Sequence, residues 1–186
     1  MGNRLSKIAT RTGDQGTTGM ADGSRLSKND IRVRCLGEVD ELNACIGLIV
    51  SSLSTGDIHQ LLFGIQHDLF DLGAELCQPG KALIQTDYVT ALEAQIESFN
   101  QSLPALKEFI LPGGSQAVAF IHLARTVCRR VERALISLKE DEQLNPETGR
   151  YINRLSDLLF VLARAQSVQD GGSEIYWNSK YSRVNR

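Results

Sequence analysis

Ser115-Gln116-Ala117-Val118-Ala119-Phe120-Ile121-His122-Leu123-Ala124-Arg125-Thr126-Val127-Cys128-Arg129-Arg130-Val131-Glu132-Arg133-Ala134-Leu135-Ile136-Ser137-Leu138 is the stretch that decides the fold. Within it Ala117, Phe120, Ala124, Val127, Val131, Ala134 and Leu138 recur in alternating steps of three and four. That is the period of a helix burying one seam in a bundle. Leu111-Pro112-Gly113-Gly114 breaks the chain before it, and Ser115 supplies an N-cap.

The same period extends in both directions. Downstream, Asn145-Pro146 reads as a cap followed by a first-turn proline, opening a helix that carries Ile152, Leu155, Leu159 and Leu162 and ends near Gly171-Gly172. Upstream, Leu36, Val39, Leu42, Ile46, Ile49 and Leu53 form one stripe, ended by Ser54-Thr55-Gly56. A further helix is predicted from about Ile58 to Leu76, stopping before Pro79-Gly80, and a weaker one from about Tyr88 to Leu103. No stretch alternates as a strand would. The expected architecture is an all-α, five-helix bundle in a single domain spanning 1–186. An irregular Gly/Thr-rich arm (1–30) precedes the bundle (31–172), and a tail (173–186) follows it.

Composition narrows the function classes. The chain has 186 residues, 42% hydrophobic and 23% charged, and a net charge of −2, so it carries no general electrostatic pull toward nucleic acid. A bound polyanion would need a local cluster of donors. No apolar run is long enough to span a membrane, and no signal-like segment opens the chain. The four cysteines, Cys35, Cys45, Cys77 and Cys128, form no CxxC pair and read as reduced thiols, so a cytoplasmic setting is expected. Met1 to Ser6 formally matches a myristoylation pattern, a short motif common by chance.

Four constellations can carry chemistry. The arm Thr10-Arg11-Thr12-Gly13-Asp14-Gln15-Gly16-Thr17-Thr18-Gly19 offers glycines, hydroxyls and one arginine. It suits a polyphosphate wrap, or equally a flexible loop. It is neither a Walker loop nor a dinucleotide fingerprint. Arg125, Arg129, Arg130, Glu132 and Arg133 form a charged face without lysine, which suits phosphate recognition or a salt-bridged surface. Gly37, Asp40, Ala44 and Gly47 share a face of the first helix. Asp40 there is either partly buried and paired with an arginine of the fourth helix, or an exposed acid near a helix start. Asn153 and Asp157 share a face of the fifth helix. The histidines are His59, His67 and His122, and although Asp68, Asp71 and Glu75 lie near His67, the paired Glu-x-x-His motifs of a di-metal bundle are missing. No metal site is expected, and no Gly-x-Ser-x-Gly nucleophile is present.

Taken in order, these stretches resemble the ATP:cob(I)alamin adenosyltransferases of the propanediol-utilisation type. The likeness runs through Thr10–Gly16, Gly37–Asn43, Phe109–Gly114, Ala124–Thr126, Cys128–Arg133 and Ile152–Asp157. The resemblance implies transfer of the 5′-deoxyadenosyl group of ATP to the cobalt of cob(I)alamin, giving adenosylcobalamin and triphosphate. It further implies a homotrimer with sites between neighbouring subunits. Thr10, Arg11, Gly13, Asp14, Gly16, Thr18 and Lys28 would fold over ATP. Arg129 would hold the triphosphate, Glu132 and Asn153 the nucleoside end, and Arg125 would pair with Asp40. Phe109 would stand beside the corrin ring. Mg2+ would accompany the phosphates, with a flavin reductase and a cobalamin-dependent enzyme as further partners. A sensor or corrinoid carrier using the same sites would bind ATP without releasing triphosphate.

Overall fold

The computed structural model describes residues 9–141 and 144–178. The myristoylation pattern at Met1 to Ser6 and the last part of the tail lie outside them. Five helices follow one another: α1 Ile31–Ser52, α2 Asp57–Leu76, α3 Thr86–Asn100, α4 Gln116–Asp141 and α5 Pro146–Gln169. Two short strands, β1 Thr17–Gly19 and β2 Arg25–Ser27, pair antiparallel ahead of them. The bundle matches the expectation to within a few residues per boundary. Within the otherwise irregular arm the structure adds a short hairpin. Its β-branched threonines meet β2 across a loop in which Gly23 takes φ 87° and Asp22 accepts from the Ser24 N–H at 2.8 Å.

The caps explain the helix limits. Asp30 accepts from the Arg32 N–H at 2.8 Å, and Asn145 from the Glu147 N–H at 3.1 Å, with Pro146 in the first turn. The Ser115 hydroxyl accepts from the Val118 N–H at 3.3 Å and lies 2.5 Å from Asp170 Oδ2, fastening the start of α4 to the end of α5. Gly171 ends α5 at φ 67°, and the Gly172 N–H reaches back to the Ser167 carbonyl at 2.9 Å.

The core is one apolar cluster drawn from all five helices, including Leu42, Ile46, Leu62, Leu69, Ile121, Val131, Leu155 and Leu162. Packing is densest between α4 and α5 and between α1 and α4, with α3 lying on α5 and α2 on α1. Buried polar pairs fix the register. Asn43 and Gln66 exchange hydrogen bonds between α1 and α2, and buried Arg32 donates to the Leu76 carbonyl at the end of α2 at 2.6 Å. Buried Glu75 accepts from the N–H groups of Leu83 and Ile84 at 2.6 and 3.0 Å. It also accepts from Asn145 at 3.0 Å and from the Thr148 hydroxyl, so the end of α2 holds the start of α5.

These contacts define two ends of the bundle. The arm end gathers the start of α1, the end of α2 and the start of α5. The far end gathers the start of α4, the end of α5 and the tail. α1, with 22 residues, spans about 33 Å between them. No helix among the described residues is long and apolar enough to cross a membrane.

Candidate active site

The site is organised by one row of α4. His122, Arg125, Arg129 and Glu132 succeed one another in steps of three, four and three and therefore share a face. The apolar seam of α4 fixes that face, because burying Val127, Cys128, Val131 and Leu135 turns the row toward its side of the bundle.

At the arm-end part of the row, the Asn153 amide donates to Glu132 Oε1 at 2.8 Å. The pair borders a cavity of about 440 Å3 whose walls include Leu135, Ile136, Asn145, Pro146 and Gly149. One wall is apolar and one is the polar start of α5 held by Glu75, a combination suited to a flat polar ring. Beside it Arg154 is occupied by Glu93 at 2.9 Å and Asp157 at 3.1 Å.

The middle of the row is cationic and unsatisfied. Arg130 pairs with Glu41, whereas among the described residues neither Arg125 nor Arg129 has an acidic partner. Arg125 Nε is buried and without a hydrogen bond, and Arg129 is exposed. Burial, and then the neighbouring Arg129, hold the Arg125 guanidinium below the usual arginine value. Two cations one helical turn apart without countercharge form a site for a polyanion.

Asp40 does not meet Arg125 within the chain. It lies exposed on α1 with Gly37 and Ala44, because the buried stripe of that helix runs through Cys35, Val39, Leu42 and Ile46. Partial burial of Asp40 is therefore corrected for the single chain. Gly47, at the far margin of that face, packs against Gln66.

The arm brings several expected residues together. Gly16 turns at φ 78°, its N–H reaches the Gly13 carbonyl at 3.1 Å, and its carbonyl accepts from the Lys28 N–H at 2.8 Å. The Lys28 ammonium lies against Gly13, so a side chain there would push it aside. Arg11 adopts φ 58°, a left-handed conformation uncommon outside glycine, and bends the arm. Thr10 and Thr12 share a hydroxyl contact at 3.0 Å, Asp14 is exposed, and Thr18 pairs with Leu26 in the hairpin. The sequence reading missed Arg25, which donates to the Thr12 carbonyl at 2.6 Å and the Thr17 hydroxyl at 2.9 Å and pins the arm. The hairpin makes at most marginal contact with the helices in the single chain.

The far end is aromatic. Phe109 is 74% exposed, with its ring 6.3 Å from that of Trp177. The tail returns antiparallel to this segment: the Leu111 N–H reaches the Ile175 carbonyl at 2.8 Å, and the Trp177 N–H the Phe109 carbonyl at 2.7 Å. Trp177 was also missed; its only sequence signal is the short apolar run Ile175-Tyr176-Trp177 in a polar tail. Behind this segment is a cavity of about 230 Å3 reached by His122, whose Nδ1 is buried without a partner.

The cysteines and the acids of α2 are held in structural roles. Burial pushes the Cys35 thiol up to about 11 and Cys128 higher still, which makes them inert. The acids of α2 are engaged as acceptors, Asp68 from Tyr151 at 2.9 Å and Asp71 from Tyr88 at 3.1 Å. No group of three potential metal ligands is found among the described residues.

Comparison with known proteins identifies the family. The family described as cobalamin adenosyltransferase matches residues 8–166. The chain is 54% identical over 178 residues to a cobalamin adenosyltransferase of Cupriavidus metallidurans, covering 95% of this chain and 97% of that protein. It is 39% identical to the corrinoid adenosyltransferase of Bacillus subtilis, with 91% of each covered. Among solved structures it resembles a variant of the PduO-type ATP:corrinoid adenosyltransferase from Lactobacillus reuteri complexed with cobalamin and ATP. There the TM-score is 0.88 and the identity 37%, covering 93% of this chain and 100% of that one. The chain belongs to the cobalamin adenosyltransferase family, whose members are enzymes that move the adenosyl group of ATP to a corrinoid.

Proposed function

We propose that this chain carries out the family reaction along the α4 row, with ATP toward the arm end and the corrinoid toward Phe109. The observation that carries this reading is the unpaired Arg125–Arg129 couple between a nucleoside-sized cavity and an exposed aromatic pair. Glu132 and Asn153 hold the nucleoside, Arg129 holds the triphosphate, and the arm folds over it through Thr10, Arg11, Gly13, Asp14, Gly16, Thr18 and Lys28. Mg2+ enters with the triphosphate as part of the substrate.

The chemistry asks for no protein nucleophile. The cobalt(I) electron pair forms the Co–C5′ bond while the C5′–O bond breaks, its electrons leaving on triphosphate. The protein contributes alignment and donors for the charge gathering on the leaving oxygens. Arg129 supplies those donors as a planar fork. Phe109 keeps water and a lower ligand from the cobalt, which favours the four-coordinate state that is reduced to cobalt(I).

A homotrimer with sites between subunits completes the design. Arg125 has a buried, unpartnered Nε, and Asp40 stands exposed on a face of small residues beside Leu48. Asp40 of one subunit pairs with Arg125 of its neighbour, which supplies the countercharge the single chain lacks. The unpaired thiols support a reducing, cytoplasmic setting. A flavin reductase is the proposed source of electrons and a cobalamin-dependent enzyme the recipient of product.

The test is anaerobic: protein, ATP, magnesium and chemically reduced cob(I)alamin, followed by visible spectroscopy and triphosphate release. Light-sensitive adenosylcobalamin in equal amount to triphosphate is expected, falling about 10²–10³-fold in Arg129→Ala. ATP binding with no cobalt–carbon bond formed would instead establish a sensor or carrier.

A further inference from the structure

Arg164 is a cation on the buried face of α5, only 5% exposed. Its guanidinium does not serve the α4 row. Nε donates to Glu174 Oε1 at 2.5 Å, and Nη2 donates to the Pro104 carbonyl at 2.7 Å and toward Glu174 Oε2 at 3.4 Å. One side chain thus grips two irregular segments that are distant in sequence. The first, beginning at Pro104, leads to Phe109. The second, beginning at Glu174, leads to Trp177. Past the grip, the two strands make the Ile110–Tyr176 bridge and bring the two rings edge to face. Ile175, Tyr176 and Trp177 are 65%, 46% and 48% exposed, so little apolar burial holds the tail in place. Among the described residues, the buried Arg164–Glu174 pair is the ion pair that ties the tail to the bundle.

We infer that Arg164 is a positioning residue for corrinoid binding: with Glu174 it latches the tail, so that Trp177 stands against Phe109 and the two rings form a single aromatic wall. Arginine is required because its fork reaches a carboxylate and a carbonyl at once, whereas an ammonium gives a point contact. The inference rests on the corrinoid lying at Phe109, as proposed above, but the latch has a readout independent of any activity. Trp177 is the only tryptophan of the chain, so its emission reports directly on the tail.

The experiment compares wild type with Arg164→Met, Arg164→Lys and Glu174→Gln in the full chain, using acrylamide quenching of Trp177 and separate KM values for cob(I)alamin and ATP. Glu174 lies outside the helices, so its variant tests the latch should the Arg164 changes disturb the bundle. In Glu174→Gln and Arg164→Met, quenching should rise toward that of a free tryptophan. The corrinoid KM should rise about three- to tenfold, the worth of one aromatic edge contact, while the ATP KM stays within twofold. Arg164→Lys should recover part of both effects. Unchanged quenching in both disruptive variants would overturn the latch. Increased quenching with an unchanged corrinoid KM would overturn the positioning role. Absence of adenosyl transfer by the wild-type chain would remove the positioning role together with the functional reading, while the quenching comparison would still decide the latch.

Discussion

The two ends of the α4 row are built by different means. At the arm end, the nucleoside cavity is walled by regular helix, and its polar groups are tied within the chain: Asn153 to Glu132, Arg154 to Glu93 and Asp157, and the start of α5 to Glu75. At the far end, the aromatic pair sits on irregular segments joined by backbone hydrogen bonds and gripped by Arg164, which pairs with Glu174 and donates to the Pro104 carbonyl. The difference suits the ligands proposed for the two ends. A nucleotide is read by directional hydrogen bonds, which require fixed donors and acceptors. A corrin face presents a broad apolar surface, for which contact area matters more than direction. Segments outside the core also adapt at lower cost than helices within it.

Between the ends lie Arg125 and Arg129, with His122 bordering them on the far side, and breaking this middle zone should have the largest effect. Asp40→Ala removes the proposed intersubunit partner of Arg125 and leaves a desolvated cation, at a cost of about 3–5 kcal/mol. Light scattering should then show the proposed trimer dissociating at micromolar protein, with adenosyl transfer lost alongside it. A trimer of unaltered stability would refute the pairing.

A smaller effect sharpens the same boundary. His122 has its pKa lowered from 6.5, first by burial and then by Arg125. The folded state therefore favours the neutral imidazole. Its contribution to stability is complete above pH 6.5 and is lost progressively as pH falls below that value toward the lowered folded pKa. The slope is at most about 1.4 kcal/mol per pH unit. Thermal melts between pH 7 and 5 should fall less steeply in His122→Gln than in wild type. Equal slopes would show that other groups carry the acid sensitivity.

The sequence disclosed these regions unequally. The bundle was legible because each helix buries a stripe repeating every three or four residues, and Ser115 and Asn145 mark their caps openly. Helical spacing put Arg129 and Glu132 on one face of α4 and Asn153 on α5, whereas their expected roles came from the family resemblance. The hairpin was not, because its strands, Thr17–Gly19 and Arg25–Ser27, are too short to alternate and are held partly by the Arg25 side chain. Trp177 depends on a pairing with Phe109 that no local pattern reveals. Asp40 had two readings in sequence. The exposed one holds in the chain, and the paired one belongs to the proposed trimer.

The most direct test of the account compares Asn153→Ala with Phe109→Ala in the anaerobic assay, with the KM of each substrate measured while the other is saturating. The account predicts crossed selectivity. Asn153→Ala should raise the ATP KM about three- to tenfold, the worth of a hydrogen bond, and leave the corrinoid KM unchanged. Phe109→Ala should do the reverse. If Phe109→Ala weakened ATP as much as corrinoid, or Asn153→Ala weakened the corrinoid alone, the division of the α4 row into a nucleotide end and a corrinoid end would be wrong.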